Sequence, residues 1–385
     1  MPVRGPLDPD VLCRGAEQAT GLTDWDEPPF REALERLCAS ARDESGQDEA
    51  CQVRFAARVT ELLTTRLHLY ADRAAMPEIA RQQIVAPIIV TGLPRGGTTI
   101  LHALLAQDPC ARSPQSWEAN APSPPPRAET YTSDPRIAAA QAGIDALPPI
   151  FRAMHTVGAT LPEECNSIMQ PAFLSPNFGA TLNLPSYMAW LIEEADMAPA
   201  FALHRHVLQA LQAFAPRPWW VLKAPPYLWW PEGLFDAYPD ARLVVTHRDP
   251  GEVMASNASL IAFLRGLNGP VDRKFVGAEQ VDQWSVGLER MEAFRTRSDA
   301  PKAIVDVHYR DIVGDPLGVV EKVYSAFGIE LNAAARRAME DFMAKNQQGK
   351  HGKHDYDAAD YGLEPAAIRT RFADYIARRA IPVKS

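Results

Sequence analysis

The stretch PIIVTGLPRGGTTILHALLAQ, residues 87–107, decides the fold. Its first part, Pro87–Gly92, is a short run rich in β-branched residues, the pattern of a strand buried on both faces in a parallel sheet. Its last part, Thr99–Gln107, reads as an apolar helix. Between them Thr91-Gly-Leu-Pro-Arg-Gly-Gly-Thr-Thr99 joins strand to helix. Glycines there let backbone N–H groups face one point, and the helix N-terminus behind them adds positive dipole. The hydroxyls of Thr98 and Thr99 can donate to anionic oxygens, and Arg95 carries charge into the loop. The order strand, loop, helix favours an anion cradle over a plain glycine turn. The nucleotide-hydrolase pattern G-x-x-x-x-G-K-[ST] is not met, because Thr98 stands where the lysine should be.

Strand character returns at Trp219–Lys223, Ala241–His247 and Ala303–Tyr309, the last before a helix at Pro316–Phe327. Strands alternating with helices predict an α/β fold: P-loop-like, three-layered, with a central, mainly parallel sheet flanked by helices. Upstream, Glu32–Ala41 and Cys51–Tyr70 carry apolar residues at three- and four-residue steps, including Val53, Ala57, Leu62 and Leu69. Residues 1–80 are therefore expected as a helical extension packed on an α/β domain of residues 81–385. Within it, 108–218 holds most of the proline clusters, among them Pro124 to Pro126, Pro148-Pro149, Pro162 and Pro176. Proline breaks element interiors, which predicts an insertion of short helices joined by stiff loops.

The chain of 385 residues is 46% hydrophobic and 23% charged, which excludes an intrinsically disordered protein. No apolar run approaches the ~18–20 residues of a membrane-spanning helix. The start MPVRGPLDPDVLCRG has no apolar signal region, so a cytoplasmic location is expected. Thirty-nine basic against 48 acidic residues give a net charge of −9, arguing against nucleic acid held by a general basic field. A local basic pocket for a small anion is untouched by that balance. Cys13, Cys38, Cys51, Cys110 and Cys165 are odd in number and lack a C-x-x-C pair, so reduced thiols are expected rather than zinc or disulfides.

A second motif lies in ARLVVTHRDPGEVMAS, residues 241–256. Asp249 suits a helix N-cap and Pro250 the first helical position. Arg248 then closes a strand, and Ser256 lies on the second turn of the next helix. Both can face the crevice outside the carboxyl end of the sheet, where open α/β folds bind ligands. A fixed Arg with a hydroxyl suits a phosphate monoester. Standing alone, the motif would read as an Arg at a strand end and a Ser in solvent.

Taken together, GLPRGGTT and HRDP-x₅-S resemble the two nucleotide signatures of sulfotransferases that use 3′-phosphoadenosine 5′-phosphosulfate (PAPS). The resemblance spans roughly 87–380, and the Arg form of the loop is similar to the bacterial and tyrosylprotein branches. It implies that Arg95, Gly96, Gly97, Thr98 and Thr99 bind the 5′-phosphosulfate. Arg248 and Ser256 would bind the 3′-phosphate, and Tyr309 would pack near the adenine. Lys350 and Lys353 stand where the family has a basic glycine loop over the 3′-phosphate. Lys223, in Val221-Leu-Lys223, resembles the lysine near the transferred group. Pro225 occupies the position where cytosolic members place a catalytic histidine, so the base must come from elsewhere. Glu118, in Ser-Trp-Glu-Ala, resembles the glutamate base of the tyrosylprotein branch, with Glu163, Glu164 and His155 next in order.

The reaction so implied is in-line transfer of the sulfuryl group from PAPS to a hydroxyl or amine, leaving adenosine 3′,5′-bisphosphate. The acceptor class (small molecule, carbohydrate, lipid or peptide) and the oligomeric state stay open. No metal is expected, since Arg95 and Lys223 would absorb the developing charge. Two other readings compete. An ATP-dependent small-molecule kinase would need a Mg²⁺-holding Asp where Arg248 stands, and a non-catalytic nucleotide-binding relative would be expected to lack Arg95, Lys223 or Arg248. Glu163-Glu164 also reads as a solvated helix start, and His204 and His206 as packing or surface residues. Trp219-Trp220 and Trp229-Trp230 are expected to divide between the core and an apolar acceptor pocket.

Overall fold

The computed structural model describes residues 5–25, 29–154, 157–346 and 356–383. Five strands, β1 (Ile88–Gly92), β2 (Ala111–Arg112), β3 (Trp219–Lys223), β4 (Arg242–His247) and β5 (Ile304–His308), form one parallel sheet in the order β2-β3-β1-β4-β5. The four expected strands appear within a residue or so of the ends read from the sequence. β2 was not expected: two residues carry no periodicity. β1 sits at the centre with all five residues buried, so its β-branched run is covered on both sides. The chain leaves β1 toward β2 on one side and later builds β4 on the other. The crevice past the end of β1, between β3 and β4, is therefore the switch point where such sheets bind ligands.

Alternation along the strands sends neighbouring side chains to opposite faces and makes the three layers. Ile89, Leu222, Leu243 and Val245 join one continuous core with Leu34, Leu37, Leu63 and Leu67 of the N-terminal helices. Ile88, Val90, Val221 and Val244 point the other way, against Leu101, Leu104, Leu105, Val320 and Val323. The N-terminal helices Arg31–Asp43 and Glu49–Ala75 outrun their expected ends. The second is capped by the Asp48 carboxylate, which accepts from Cys51 N at 2.7 Å.

Between 108 and 218 the prolines start helices as much as they break them. Pro135, Pro149 and Pro185 each open one, where the missing N–H costs nothing. One helix there, Ala198–Ala213, reaches 16 residues. It carries His204 and His206, both buried; His204 Nδ1 is hydrogen-bonded to the Tyr238 hydroxyl at 2.6 Å. Burial pushes both imidazoles down to about 3, so they are neutral packing groups. At the far end of the chain, the helix Pro365–Arg371 returns to pack beside Pro250–Gly266, the helix that follows β4, and Ala373–Arg378 follows it, with Tyr375 reaching His247.

Candidate active site

The loop after β1 can close only on glycine at two points. Gly92 has φ 135°, and a Cβ there would lie 2.4 Å from the Thr246 carbonyl oxygen. Gly97 has φ 95°, and its Cβ would lie 2.9 Å from Cδ2 of Tyr309. Arg95 adopts φ 63°, a left-handed conformation that costs a non-glycine residue on the order of 1 kcal/mol. Gly96 N–H donates to Leu93 O at 3.0 Å, and Thr98 then opens the helix Thr98–Leu105.

The second motif meets this loop directly. The Arg248 guanidinium lies 4.0 Å from the centroid of the Tyr309 ring, and its Nη1 donates to Arg95 O at 2.9 Å. Its Nε and Nη2 both donate to one oxygen of Glu252, at 3.2 and 3.1 Å. Arg95 Nε donates to Ser256 Oγ at 3.2 Å. The structure thus brings Arg95, Gly97, Arg248, Ser256 and Tyr309 into one contiguous patch. Burial lowers the pKa of Arg95, and the neighbouring Arg248 charge adds to that effect. An anion bound beside both cations would relieve that repulsion.

Arg248 is bracketed from both chain neighbours. Asp249 caps the helix Pro250–Gly266 by accepting from Gly251 N at 2.9 Å, and Arg369 grips the same carboxylate with Nη2 at 2.8 Å and Nε at 3.0 Å. On the other side, His247 is hydrogen-bonded to Tyr375 OH at 2.9 Å and to Asp306 Oδ1 at 2.7 Å. Burial would raise the Asp306 pKa. Hydrogen bonds from His247 and from Arg295, at 2.7 and 2.8 Å, outweigh it and hold the carboxyl well below its usual range.

Lys223 ends β3 with its side chain 2% exposed. Its Nζ donates to Thr99 Oγ1 at 3.3 Å and to Oε1 of Glu164. The other Glu164 oxygen accepts from Asn166 Nδ2 at 3.3 Å. The adjacent Glu163 points elsewhere, accepting from Ser116 Oγ at 2.8 Å and from Glu164 N at 3.0 Å. The two carboxylates diverge, and only Glu164 meets the lysine. Nearby, burial and the Lys223 charge push His102 down to about 3, and its neutral ring rests on Val221 O at 3.2 Å.

Glu118, the expected base, is elsewhere. Its side chain is 0% exposed and forms an ion pair with the buried Arg112, Oε1 to Nη2 at 2.8 Å. Its other oxygen accepts from Gln115 N at 3.0 Å and Tyr131 OH at 3.1 Å. Arg112 lies against the rings of Tyr131 and Trp220 and needs a counter-ion to stay charged there. That demand takes up the Glu118 carboxylate, which does not line the cleft. Lys350, Lys353 and His155 lie outside the described residues.

A cleft of about 710 Å³ opens beside the Lys223–Glu164 contact. Pro94, Ser116, Glu164 and Pro225 line it near the chemistry, and Phe55, Leu147, Phe178, Leu260 and Trp284 supply apolar wall. A larger cavity, about 1040 Å³ around Arg205, His206 and Trp230, includes no residue of the loop or of the 241–256 motif. Trp229 lines both, stacked on Trp284 at 4.6 Å, while Trp220 is core. Among the described residues no group of three or more His, Cys, Asp or Glu is placed to hold a metal ion, and no helix is long and apolar enough to cross a membrane. The sequence reading missed Glu252, Arg369 and Tyr375. The i,i+4 spacing of Arg248 and Glu252 was available as a signal; the other two come from over a hundred residues away.

A model of the sulfotransferase family matches residues 87–333. The crystal structure of sulfotransferase STF1 from Mycobacterium tuberculosis H37Rv is 33% identical, with a TM-score of 0.81 over 95% of this chain and 98% of that one. The sulfotransferase STF9 from Mycobacterium avium is 29% identical, with a TM-score of 0.89 over 98% and 97%. Omega-hydroxy-beta-dihydromenaquinone-9 sulfotransferase Stf3 of Mycobacterium bovis is 26% identical over 258 residues, 63% of this chain and 63% of its own length. The family match takes in the glycine loop, Lys223 and the Arg248–Ser256 helix start, and the solved relatives extend it to nearly every residue: this chain belongs to the sulfotransferase family.

Proposed function

We propose that the protein transfers the sulfuryl group of PAPS to a hydroxyl at the end of an apolar acceptor, releasing adenosine 3′,5′-bisphosphate. The observation that carries this reading is the contact of Lys223 with both Thr99 and Glu164, at the junction of the anion loop and the apolar cleft. PAPS, when bound, supplies an activated sulfuryl group and its phosphate leaving group. The pinched glycines and the paired guanidiniums of Arg95 and Arg248 fit such a polyanion, since no Cβ fills the cradle and positive charge is in excess there. Gly96, Gly97, Thr98 and Thr99 would hold the 5′ end, Arg248 and Ser256 the 3′-phosphate, and Tyr309 the adenine. Lys350 and Lys353 belong to the same assignment.

Lys223, 2% exposed and bonded to Thr99, would stabilise negative charge where the leaving oxygen forms, while Arg95, bonded to Ser256, would join Arg248 at the 3′ end. Glu164, on the cleft side of Lys223, takes the acceptor proton, and Glu118 keeps Arg112 in place instead. Helices of the 108–218 insertion and Phe55 of the N-terminal extension build the acceptor walls. The acceptor named for the Stf3 relatives, a hydroxylated menaquinone, has the same character of a hydroxyl on an apolar body.

The test is transfer of ³⁵S from PAPS to long-chain primary alcohols and to short hydrophilic ones, beside thermal melts with nucleotide. Adenosine 3′,5′-bisphosphate at about 100 times its Kd should stabilise by about 2.7 kcal/mol. Greater stabilisation by ATP with Mg²⁺, and no transfer to any alcohol, would replace this reading with the kinase one.

A further inference from the structure

Glu252 stands in the first turn of the helix Pro250–Gly266, one turn after Arg248 and one turn before Ser256. Residues at this spacing share a helix face. The Nε–Nη2 edge of Arg248 is the edge that recognises phosphate oxygens in pairs, and both of its nitrogens are bonded to Glu252 Oε2. The remaining terminal nitrogen is committed to Arg95 O. Arg95 in turn reaches Ser256, so that four residues meet around one spot. Among these four the cations are Arg95 and Arg248, and Glu252 is the carboxylate, bonded to Arg248. The Arg248 and Glu252 side chains are 25% and 24% exposed, so a solvated ligand can reach the pair.

We infer that Glu252 is an internal counter-ion that the nucleotide's 3′-phosphate must displace from Arg248, so that it sets how tightly the nucleotide is held and how fast the product leaves. The inference rests on the PAPS reading above. A phosphate monoester brings about −1.5 to −2 charges to a place already facing a carboxylate. Binding therefore breaks the Arg248–Glu252 pair and brings like charges together. The carboxylate lowers affinity for 3′-phosphorylated nucleotides and leaves 5′-monophosphates, which do not compete for Arg248, unaffected. A very tight product would stall turnover; an internal competitor keeps the bisphosphate exchangeable.

The experiment is calorimetric titration of the full chain, wild type and Glu252→Gln, with adenosine 3′,5′-bisphosphate and with adenosine 5′-monophosphate, plus the bisphosphate dissociation rate by stopped flow. Glu252→Gln should bind the bisphosphate about fivefold tighter, roughly 1 kcal/mol and the upper end for a partly exposed ion pair, and release it correspondingly slowly. Monophosphate affinity should stay within twofold. Unchanged or weaker bisphosphate binding by Glu252→Gln, with wild type still preferring the bisphosphate, overturns this inference alone and makes Glu252 a support for Arg248. A wild type with no preference for the bisphosphate overturns the PAPS reading and this inference with it. Should the glutamine variant melt early, Glu252→Ala gives the same comparison, because the ratio of the two nucleotides is insensitive to global stability.

Discussion

Replacing Glu118 by glutamine separates support from chemistry. The carboxylate is wholly buried and is the counter-ion of an Arg112 side chain only 3% exposed. Glutamine keeps the shape and one acceptor, but its amide group turns an N–H₂ toward Gln115 N and the Tyr131 hydroxyl, which now donate to carboxylate oxygen. The guanidinium is left buried without a compensating charge. Breaking one side of a buried pair costs about 3–5 kcal/mol, and the retained amide acceptor places Glu118→Gln near the lower figure, about 3 kcal/mol. For 385 residues the unfolding entropy near the midpoint is on the order of 0.8 kcal/mol per kelvin, so the Tm should fall by about 4 °C. Scanning calorimetry measures this, and ³⁵S transfer at 20 °C on the protein that stays folded should fall by less than about threefold. A Tm within 1 °C of wild type together with turnover reduced a hundredfold or more would refute the reasoning and restore Glu118 as the base.

Glu164→Gln should behave in the opposite way: turnover down about 10²–10⁴-fold by steady-state kinetics, with nucleotide affinity little changed. Arg248→Ala should lose charge-assisted bonds and weaken adenosine 3′,5′-bisphosphate by about 10- to 150-fold in calorimetry, while adenosine 5′-monophosphate barely responds. His102, His204 and His206 are each held near 3 by burial, so between about pH 6.5 and 3 the unfolded chain binds protons that the folded chain does not. Stability contributed by these depressed pKa values is present above pH 6.5 and is lost as pH falls. Urea unfolding should lose about 4 kcal/mol per pH unit between pH 6 and 5 from these three residues, and a flat profile there would contradict their burial as neutral rings.

The sheet was legible because each long strand is a β-branched or aromatic run stopped by Pro, Gly or Asp, and because buried parallel strands need no alternation. β2 was not, since a two-residue strand at the sheet edge, paired with Trp219–Lys223, carries no pattern of its own. The anion loop was legible through Gly92 and Gly97, whose backbone needs appear in residue type alone. The base was not. Glu118 sits at a plausible distance along the chain, but its fate is set by Arg112, whose burial no local pattern reveals. Glu163 and Glu164 looked like a solvated pair; Pro114 O and Ser116 anchor the first, and a lysine 59 residues on claims the second.

The brackets on either side of Arg248 have a kinetic meaning. Asp249 is gripped from 120 residues away and His247 from 128, so neither contact can form until the chain has closed very long loops. Such contacts come late in folding, after helices and neighbouring strands have assembled. A refolding chain should recover its far-ultraviolet signal and compactness first and its grip on adenosine 3′,5′-bisphosphate last. Nucleotide capture then reports completion of the whole topology, and an intermediate with the sheet in place but residues 365–378 undocked would look folded and bind poorly.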